Sequence, residues 1–443
     1  MRIRKECKLS LYEFLFCACC FLFYFLWAVN KPFNYGPDEY MRYDVSEFLF
    51  KNNRLPIGLE TANPVWGFSY AHLPTMIRHI FDFVFMKIGS IFSSNDFYIL
   101  LCARMVSVLC GTLIVLFTIK ISKILFKTPI RWLMVGLVAF IPQLAFLSSY
   151  VNNDIVALLG ATFIMYSWIL GIHYNWNFKN SSILAIGIAI CATSYYNAYS
   201  WILFSVFLFI FTYLHQNNKD YKGLFKYSFF IFLIVFLIAG YFFIRHVAFY
   251  GDLLGIKTTQ SYCELYGIDA LKPSNRLTPK VQGISLIDML FGNMRFIKDS
   301  SNSFVGCFGY MQYPLPGFFY CIYYILFVMA FIGLVGFFIA KVKNKQKERL
   351  SIDADKILFG LSLLFCIVIT ICLSVYNSYA NEFQPQGRYC YPALLAIAFF
   401  FTKGFDFISN LFSEKYRYAI VGSVTTIFIL ISLYSYNCIY LPS

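Results

Sequence analysis

Charge is what this sequence has least of. Asp, Glu, Lys and Arg make up 13% of its 443 residues, while 59% are hydrophobic and 21% aromatic. A soluble domain of this length needs far more charge to cover its surface, which excludes a soluble enzyme or binding module. The short alternating segments of a β-barrel are missing as well. What recurs instead is the apolar run of about 18 residues or more, long enough to cross a bilayer as a helix. The fold class is therefore all-α, a polytopic integral membrane protein.

Further absences narrow the function. The net charge is +14, yet no nucleic-acid motif accompanies it, and the basic residues lie mostly between apolar runs. The expected partner is the lipid bilayer, with no nucleic acid. The 14 cysteines sit largely inside apolar runs, as with Cys17, Cys19, Cys20, Cys102 and Cys110, without metal-ligand spacing. Cys263 and Cys307 share one long loop, where they either pair on an oxidising side or stay free thiols. The first apolar run has a basic start, "MRIRKECK", but no small-residue cleavage site, so it reads as a retained span. Repeats and low-complexity stretches are absent.

About eleven transmembrane helices are predicted, near 10–30, 98–120, 132–151, 155–172, 181–194, 198–214, 227–246, 316–340, 357–376, 389–405 and 418–439. Region 181–214 reads either as one long helix or as a tight pair, with "SYYNAY" suiting a turn. Orientation follows from Lys and Arg. Arg2, Arg4, Lys5 and Lys8 place the N-terminus in the cytoplasm. The next inner connections hold Lys120, Lys123, Lys127 and Arg131, then Lys219, Lys222 and Lys226, then "KVKNKQKER" at 341–349, then Lys403, Lys415 and Arg417. Short outer connections near 152, 196 and 380 carry almost no basic residues. Two long outer loops, 31–97 and 247–315, hold most of the polar chain, and residues 1–443 read as one unit. In the first loop, "TMIRHIFDFVFMKIGSIF" spaces Arg78, Asp82 and Lys87 through apolar residues, the pattern of an amphipathic helix lying in the interface.

Four polar features stand at span ends or in outer loops: Asp38 and Glu39 after the first span, "NND" at 152–154, "FFIRHVAFYGDLLG" around Arg245, and "QPQGRYCYP" around Arg388. All four face outward under an orientation derived without them. Arginine offers a planar, permanent charge that fits phosphate oxygens. A carboxylate acts as general base if it reaches a hydroxyl proton. Together they suit displacement of a phosphate leaving group by a hydroxyl, and at a membrane the phosphate is the head of a polyprenyl-linked sugar.

At these residues the chain resembles the GT-C superfamily of membrane glycosyltransferases, and more narrowly its bacterial DUF2142 branch. That branch carries "PPDE" plus a downstream "LP", here "GPDEYMRYDVSEFLFKNNRLP"; "NND", here 152–154; an "RN…YGDPLG"-like string, here "RHVAFYGDLLG"; and "QGRYLYPALP", here "QGRYCYPALLA". The matches keep their order across most of the chain. Two departures stand out. His246 replaces an asparagine, and an "HPPLYY"-like stretch becomes "YAHLPTMIRH", keeping His72 and Pro74 but losing one proline.

The resemblance implies a transferase that moves a sugar from a polyprenyl-phosphate (or diphosphate) donor to a hydroxyl of an envelope glycan or glycolipid, with inversion, at the outer face of a bacterial inner membrane. It implies Asp38 as base, with Glu39 the alternative. Arg245, Arg388 and Tyr389 would hold the donor phosphate. Asn153, Asp154, His72, His246 and Gln386 would support the site or bind acceptor. No cofactor is required; a divalent cation, Mg or Mn, would sit on Asp38 and Asp154. Plainer readings stand beside these: a helix cap for Asp38 and Glu39, a capped turn for 152–154, snorkelling for Arg245 and Arg388, and neutralisation of a carboxylate by Arg104. Rival functions are a polymerase of lipid-linked oligosaccharides and a flippase. The latter calls for polar residues at mid-bilayer and inverted repeats.

Overall fold

The structure, a computed structural model, describes residues 8–348 and 354–443, with side chains for all of these except 344–348. Arg2, Arg4, Lys5 and Arg349 of the expected inner basic set lie outside the described residues. Among the described residues, nine helices are long and apolar enough to cross a membrane, and two more apolar helices, Arg131–Phe140 and Phe178–Ala192, are shorter.

The chain opens with α1 (Leu11–Val29), whose start is fixed by a capping box. Ser10 Oγ accepts from the Glu13 amide, and the Glu13 carboxylate accepts from the Ser10 amide. After it come α2 (Glu39–Asn52), α3 (Ile77–Gly89) and α4 (Asp96–Leu125). Lys123 at the far end of α4 and Arg131 both pair with Glu13, so basic side chains gather at the end of the bundle where α1 begins.

The predicted span 132–151 is broken. It forms α5 (Arg131–Phe140) and α6 (Pro142–Leu147), parted at Ile141, whose ψ is 120°. Proline disfavours helical geometry in the residue before it and brings no N–H to continue the ladder. Both pieces are buried all round. The open region 181–214 resolves into a tight pair, α8 (Phe178–Ala192) and α9 (Tyr199–Gln216), which follow α7 (Asp154–Tyr174) and turn at Tyr196–Ala198. Burial sorts the bundle: 89% of the apolar window of α7 is inside, but only 11% of that of Tyr221–Tyr250. The first is the core, and the second is apolar surface for lipid.

That exposed helix runs as α10 (Tyr221–Val235), a π turn, and α11 (Tyr241–Tyr250). The second long loop is structured by α12 (Ile256–Tyr266), α13 (Leu286–Phe291), α14 (Phe296–Val305) and a hairpin of β1 (Cys307–Phe308) on β2 (Tyr313–Pro314), in register Cys307↔Pro314. Cys263 and Cys307 are free thiols. The chain ends with α15 (Gly317–Glu348), α16 (Ala354–Ala380), a 3-10 turn at Gly387–Ala393, α17 (Leu394–Ser409) and α18 (Glu414–Tyr434).

The first loop is seated on the bundle by buried charge. Arg104, within α4, donates from Nε and Nη2 to the two Glu39 oxygens at 2.8 Å each, and to the carbonyls of Ala28, Lys31 and Pro32 at the end of α1. Glu39 also accepts from the amides of Asn34 and Val151. Arg104 neutralises a carboxylate, as the sequence suggested.

Helix α3 forms where expected, but its charges face the other way. Arg78 and Asp82 are fully buried, while Phe81, Val84 and Ile88 point outward. Four residues apart, the two charges share one face and neutralise each other at 3.2 Å. Arg78 also donates to Ser107 Oγ at 2.9 Å and the Asn152 carbonyl at 2.5 Å, and Ser46 donates to Asp82 at 2.8 Å. Burial pushes the Asp82 carboxyl up to about 6. A polar face turned inward leaves the apolar face for lipid.

Replacing Glu39 by Gln strands the Arg104 charge in a dry interior, where breaking one partner of a pair costs about 3–5 kcal/mol. Glu39→Gln should lower the thermal unfolding midpoint in detergent sharply. Asp38→Asn, at a side chain 32% exposed, should lower it far less.

Candidate active site

Asp38 precedes α2 with φ 62° and ψ 9°, a left-handed conformation, and its side chain makes no cap bond. The carboxylate turns instead to Arg388 Nη2 at 2.7 Å and lies 3.8 Å from Arg42 Nη2. Arg42 is one helical turn on, so it shares the face of Asp38. Tyr70 flanks the pair, with the Arg42 guanidinium 4.8 Å from its ring centre. Arg388 projects from the 3-10 turn, whose start packs on α14. The Gly387 amide donates to Ser303 Oγ at 2.7 Å, and a Cβ at Gly387 would stand 2.2 Å from the Phe304 nitrogen. Only glycine permits that approach.

Asp154, the first residue of α7, closes the group. It is fully buried, 3.5 Å from Arg42 Nη1 and 4.0 Å from Arg388 Nη1. Two carboxylates and two guanidiniums thus alternate around one point, with no net charge. Yet neither Asp154 oxygen has a hydrogen-bond partner among the described residues, nor do Arg42 Nε and Nη1 or Arg388 Nε. Buried polar atoms are rarely left unmatched, so this group has hydrogen-bonding capacity to spare. Burial works to raise the Asp38 carboxyl, but Arg388 and Arg42 outweigh it and hold it below the usual carboxylate range. Asp38 is ionised at neutral pH.

The adjacent acids part company. Glu39 is wholly buried behind the site with both oxygens taken up by Arg104 and backbone amides. It has no path to a substrate proton, which corrects the reading of Glu39 as an alternative base. Arg245 is not brought into the cluster either. Its Nη2 donates to the Pro56 carbonyl at 2.6 Å and its guanidinium lies 5.2 Å from the Phe249 ring centre. It anchors the first loop to α11 where a phosphate contact was expected.

His72 and His246 are loop anchors as well. His72 Nε2 meets the Gly58 carbonyl at 2.6 Å, and His246 faces two carbonyls, Asp252 at 2.5 Å and His72 at 2.7 Å. In "NND", Asn152 does the capping, accepting from the Ile155 amide. Asn153 donates to the Thr75 and Ser194 carbonyls at 3.2 Å each. So the turn reading fits Asn152, while Asp154 stands in the charge cluster. Tyr389 lies beside Arg388, whose Nη2 donates to its hydroxyl at 3.2 Å. Gln386 lines a small recess behind Arg388.

Sequence reading missed Arg42, Tyr70, Arg276 and Glu382, which border the site or its cleft. The signal for Arg42 was its spacing of four from Asp38. For a divalent cation, Asp38 and Asp154 are the available carboxylates, but two guanidiniums already stand against both. Among the described residues no three His, Cys, Asp or Glu side chains converge as metal ligands. A hard cation takes about six oxygens, so this arrangement does not fit a tightly held one.

A comparison with curated protein sequences finds no match. Among solved structures, the chain resembles the oligosaccharyltransferase of Archaeoglobus fulgidus in its apo form, at 11% identity and TM-score 0.56 over 96% of this chain and 56% of that one. The same archaeal enzyme, AglB, in complex with an inhibitory peptide and a dolichol-phosphate, matches at 11% identity and TM-score 0.53 over 96% and 56%. ArnT from Cupriavidus metallidurans bound to undecaprenyl phosphate matches at 12% identity and TM-score 0.48, covering 97% and 73%. The chain spans a little over half the length of the archaeal enzyme. At these identities the likeness is one of fold, the GT-C fold. Residues 64–397 match the family described as predicted membrane protein DUF2142, and the protein belongs to that family.

Proposed function

We propose that the protein transfers a sugar from a polyprenyl-phosphate or diphosphate donor to a hydroxyl of an envelope glycan or glycolipid. The observation that carries this reading is the contact of Asp38 with Arg388 at 2.7 Å, inside a group that also holds Arg42 and Asp154. A proton acceptor and two phosphate-binding cations stand side by side. The fold is shared with AglB, which binds a dolichol-phosphate.

Asp38 takes the proton of the acceptor hydroxyl. The freed oxygen attacks the anomeric carbon as the bond from that carbon to the phosphate oxygen breaks. The lipid phosphate leaves with the bonding pair, held by Arg42 and Arg388. Attack opposite the phosphate inverts the anomeric centre. Donor binding also prepares the base: a phosphate that engages Arg388 draws it from Asp38, and the carboxyl, less held down, becomes more basic. Asp154 keeps both guanidiniums in place meanwhile. By the positive-inside pattern the N-terminus is cytoplasmic and this site faces the periplasm or exterior of a bacterial inner membrane.

Reconstituted protein given radiolabelled polyprenyl-phosphate sugar should release free polyprenyl phosphate, which a flippase would not do. Asp38→Asn should slow that release by about a hundred-fold or more; turnover at the wild-type rate removes Asp38 from the role. Arg42→Gln or Arg388→Gln should weaken binding of polyprenyl phosphate by about ten-fold or more, whereas Arg245→Gln should change it by less than about two-fold. The rate should fall as pH drops through the Asp38 pKa. Since Arg42 is one of the two charges depressing that pKa, Arg42→Gln should move the acid limb of the profile to higher pH. An unmoved limb would count against Asp38 as the titrating base.

A further inference from the structure

Asp38 also lines a cleft of about 170 Å³ that opens beside the charge cluster. One wall is aromatic. Trp66, Phe68 and Tyr70 alternate along "WGFSY", and their rings meet edge to face with centroids 6.3 and 6.0 Å apart. The wall depends on Gly67, at φ 72°, where a Cβ would stand 2.2 Å from the Gly267 nitrogen. The two long loops touch there, and the Ile268 amide donates to the Val65 carbonyl at 3.0 Å.

The other wall is polar and linked along its length. Arg388 donates to the Tyr389 hydroxyl, which donates in turn to Gln384 Oε1. Gln384 Nε2 donates to Glu382 Oε1 at 2.5 Å, and Glu382 Oε2 lies 3.8 Å from Arg276 Nη1. Arg276 is itself fixed, donating to the Leu271 carbonyl at 2.8 Å and to Cys263 Sγ at 3.1 Å, with its guanidinium 5.4 Å from the Trp66 ring centre. Burial pushes the Glu382 carboxyl up, against Gln384 and Arg276.

A lipid tail has no use for Glu382 and Arg276. A second phosphate would meet two carboxylates, Asp38 and Glu382, against one arginine. A pyranose fits both walls: its C–H face packs on an aromatic ring, and its rim of hydroxyls exchanges hydrogen bonds with planar carboxylate, amide and guanidinium groups. We propose that this cleft is a pyranose subsite, in which Trp66 and Phe68 hold the ring face and Glu382, Gln384 and Arg276 read its hydroxyls. The ring belongs to the acceptor or to the donor's own sugar, an inference resting on the transfer reading above.

The test uses full-length protein in nanodiscs and a panel of methyl pyranosides of glucose, galactose, mannose and N-acetylglucosamine, read by saturation-transfer NMR. At least one glycoside should bind, and Trp66→Ala and the isosteric Glu382→Gln should each weaken it about ten-fold or more. Both variants should still bind plain undecaprenyl phosphate, which verifies their fold. Displacement of the glycoside by undecaprenyl-phosphate glucose assigns the subsite to the donor sugar; binding alongside it assigns the subsite to the acceptor. No binding across the panel, or binding indifferent to both substitutions, overturns the subsite. If wild-type protein turns over no lipid-linked sugar yet binds a glycoside through Trp66, the transfer reading fails and the subsite stands. If it turns over lipid-linked sugar while glycoside binding is indifferent to Trp66 and Glu382, the subsite fails and the transfer reading stands.

Discussion

A guanidinium shut away from water is best met by an anion, and that pairing organises the site end of this molecule. Arg104 answers to Glu39, Arg78 to Asp82, and Arg42 with Arg388 to Asp38 and Asp154. The pairs differ in how completely they are satisfied. Arg104 spends its donors on two carboxylate oxygens and three carbonyls, which makes it a fastener. Arg42 and Arg388 keep donors in reserve, and reserve capacity in a buried group is what a charged ligand draws on.

Two neighbouring acids in "GPDEY" therefore do opposite jobs. The left-handed turn at Asp38 sends its carboxylate forward to the cleft, while Glu39, the first residue of α2, points back into the bundle. The backward acid sets the position of the forward one: with Arg104 joining the end of α1, the start of α2 and the amide of Val151, Asp38 has little freedom to drift from Asp154, which follows Val151 closely in the chain. Arg78 works from below on the same segment through the Asn152 carbonyl. The position of Asp38 is thus held by ion pairs beneath it and by the loops folded over it.

The sequence made the architecture legible because bilayer-crossing length is a coarse signal that survives uncertainty about each boundary. It misjudged the span at 132–151, where Pro142 breaks a stretch whose hydropathy alone looks continuous. Motif reading found Asp38, Asp154 and Arg388, which do meet. It also gathered Arg245, which is at the end of an apolar helix like the others but answers to Pro56. Periodicity does not say which side of a turn a long side chain takes. Likewise Arg78 and Asp82 read as a wetted face, since nothing local reveals Ser46, Ser107 and Asn152 waiting on other elements. Arg42 was within reach of a spacing argument. Glu382 and Arg276 were not, being about a hundred residues apart and joined only by the folded loops.

The turn at residue 38 limits which residues can stand there. A side chain at φ 62° is tolerated chiefly when it is Gly, Asn or Asp. Of that short alphabet only Asp carries a proton acceptor. A single-base change from Asp to Asn or Gly would keep the bend, the helix that follows and the clamp behind it, but would leave Arg42 and Arg388 to share the Asp154 carboxylate. Bulkier or β-branched replacements would instead disturb the backbone first. At this position backbone shape and negative charge are specified by separate properties of one residue, and one can vanish while the other persists.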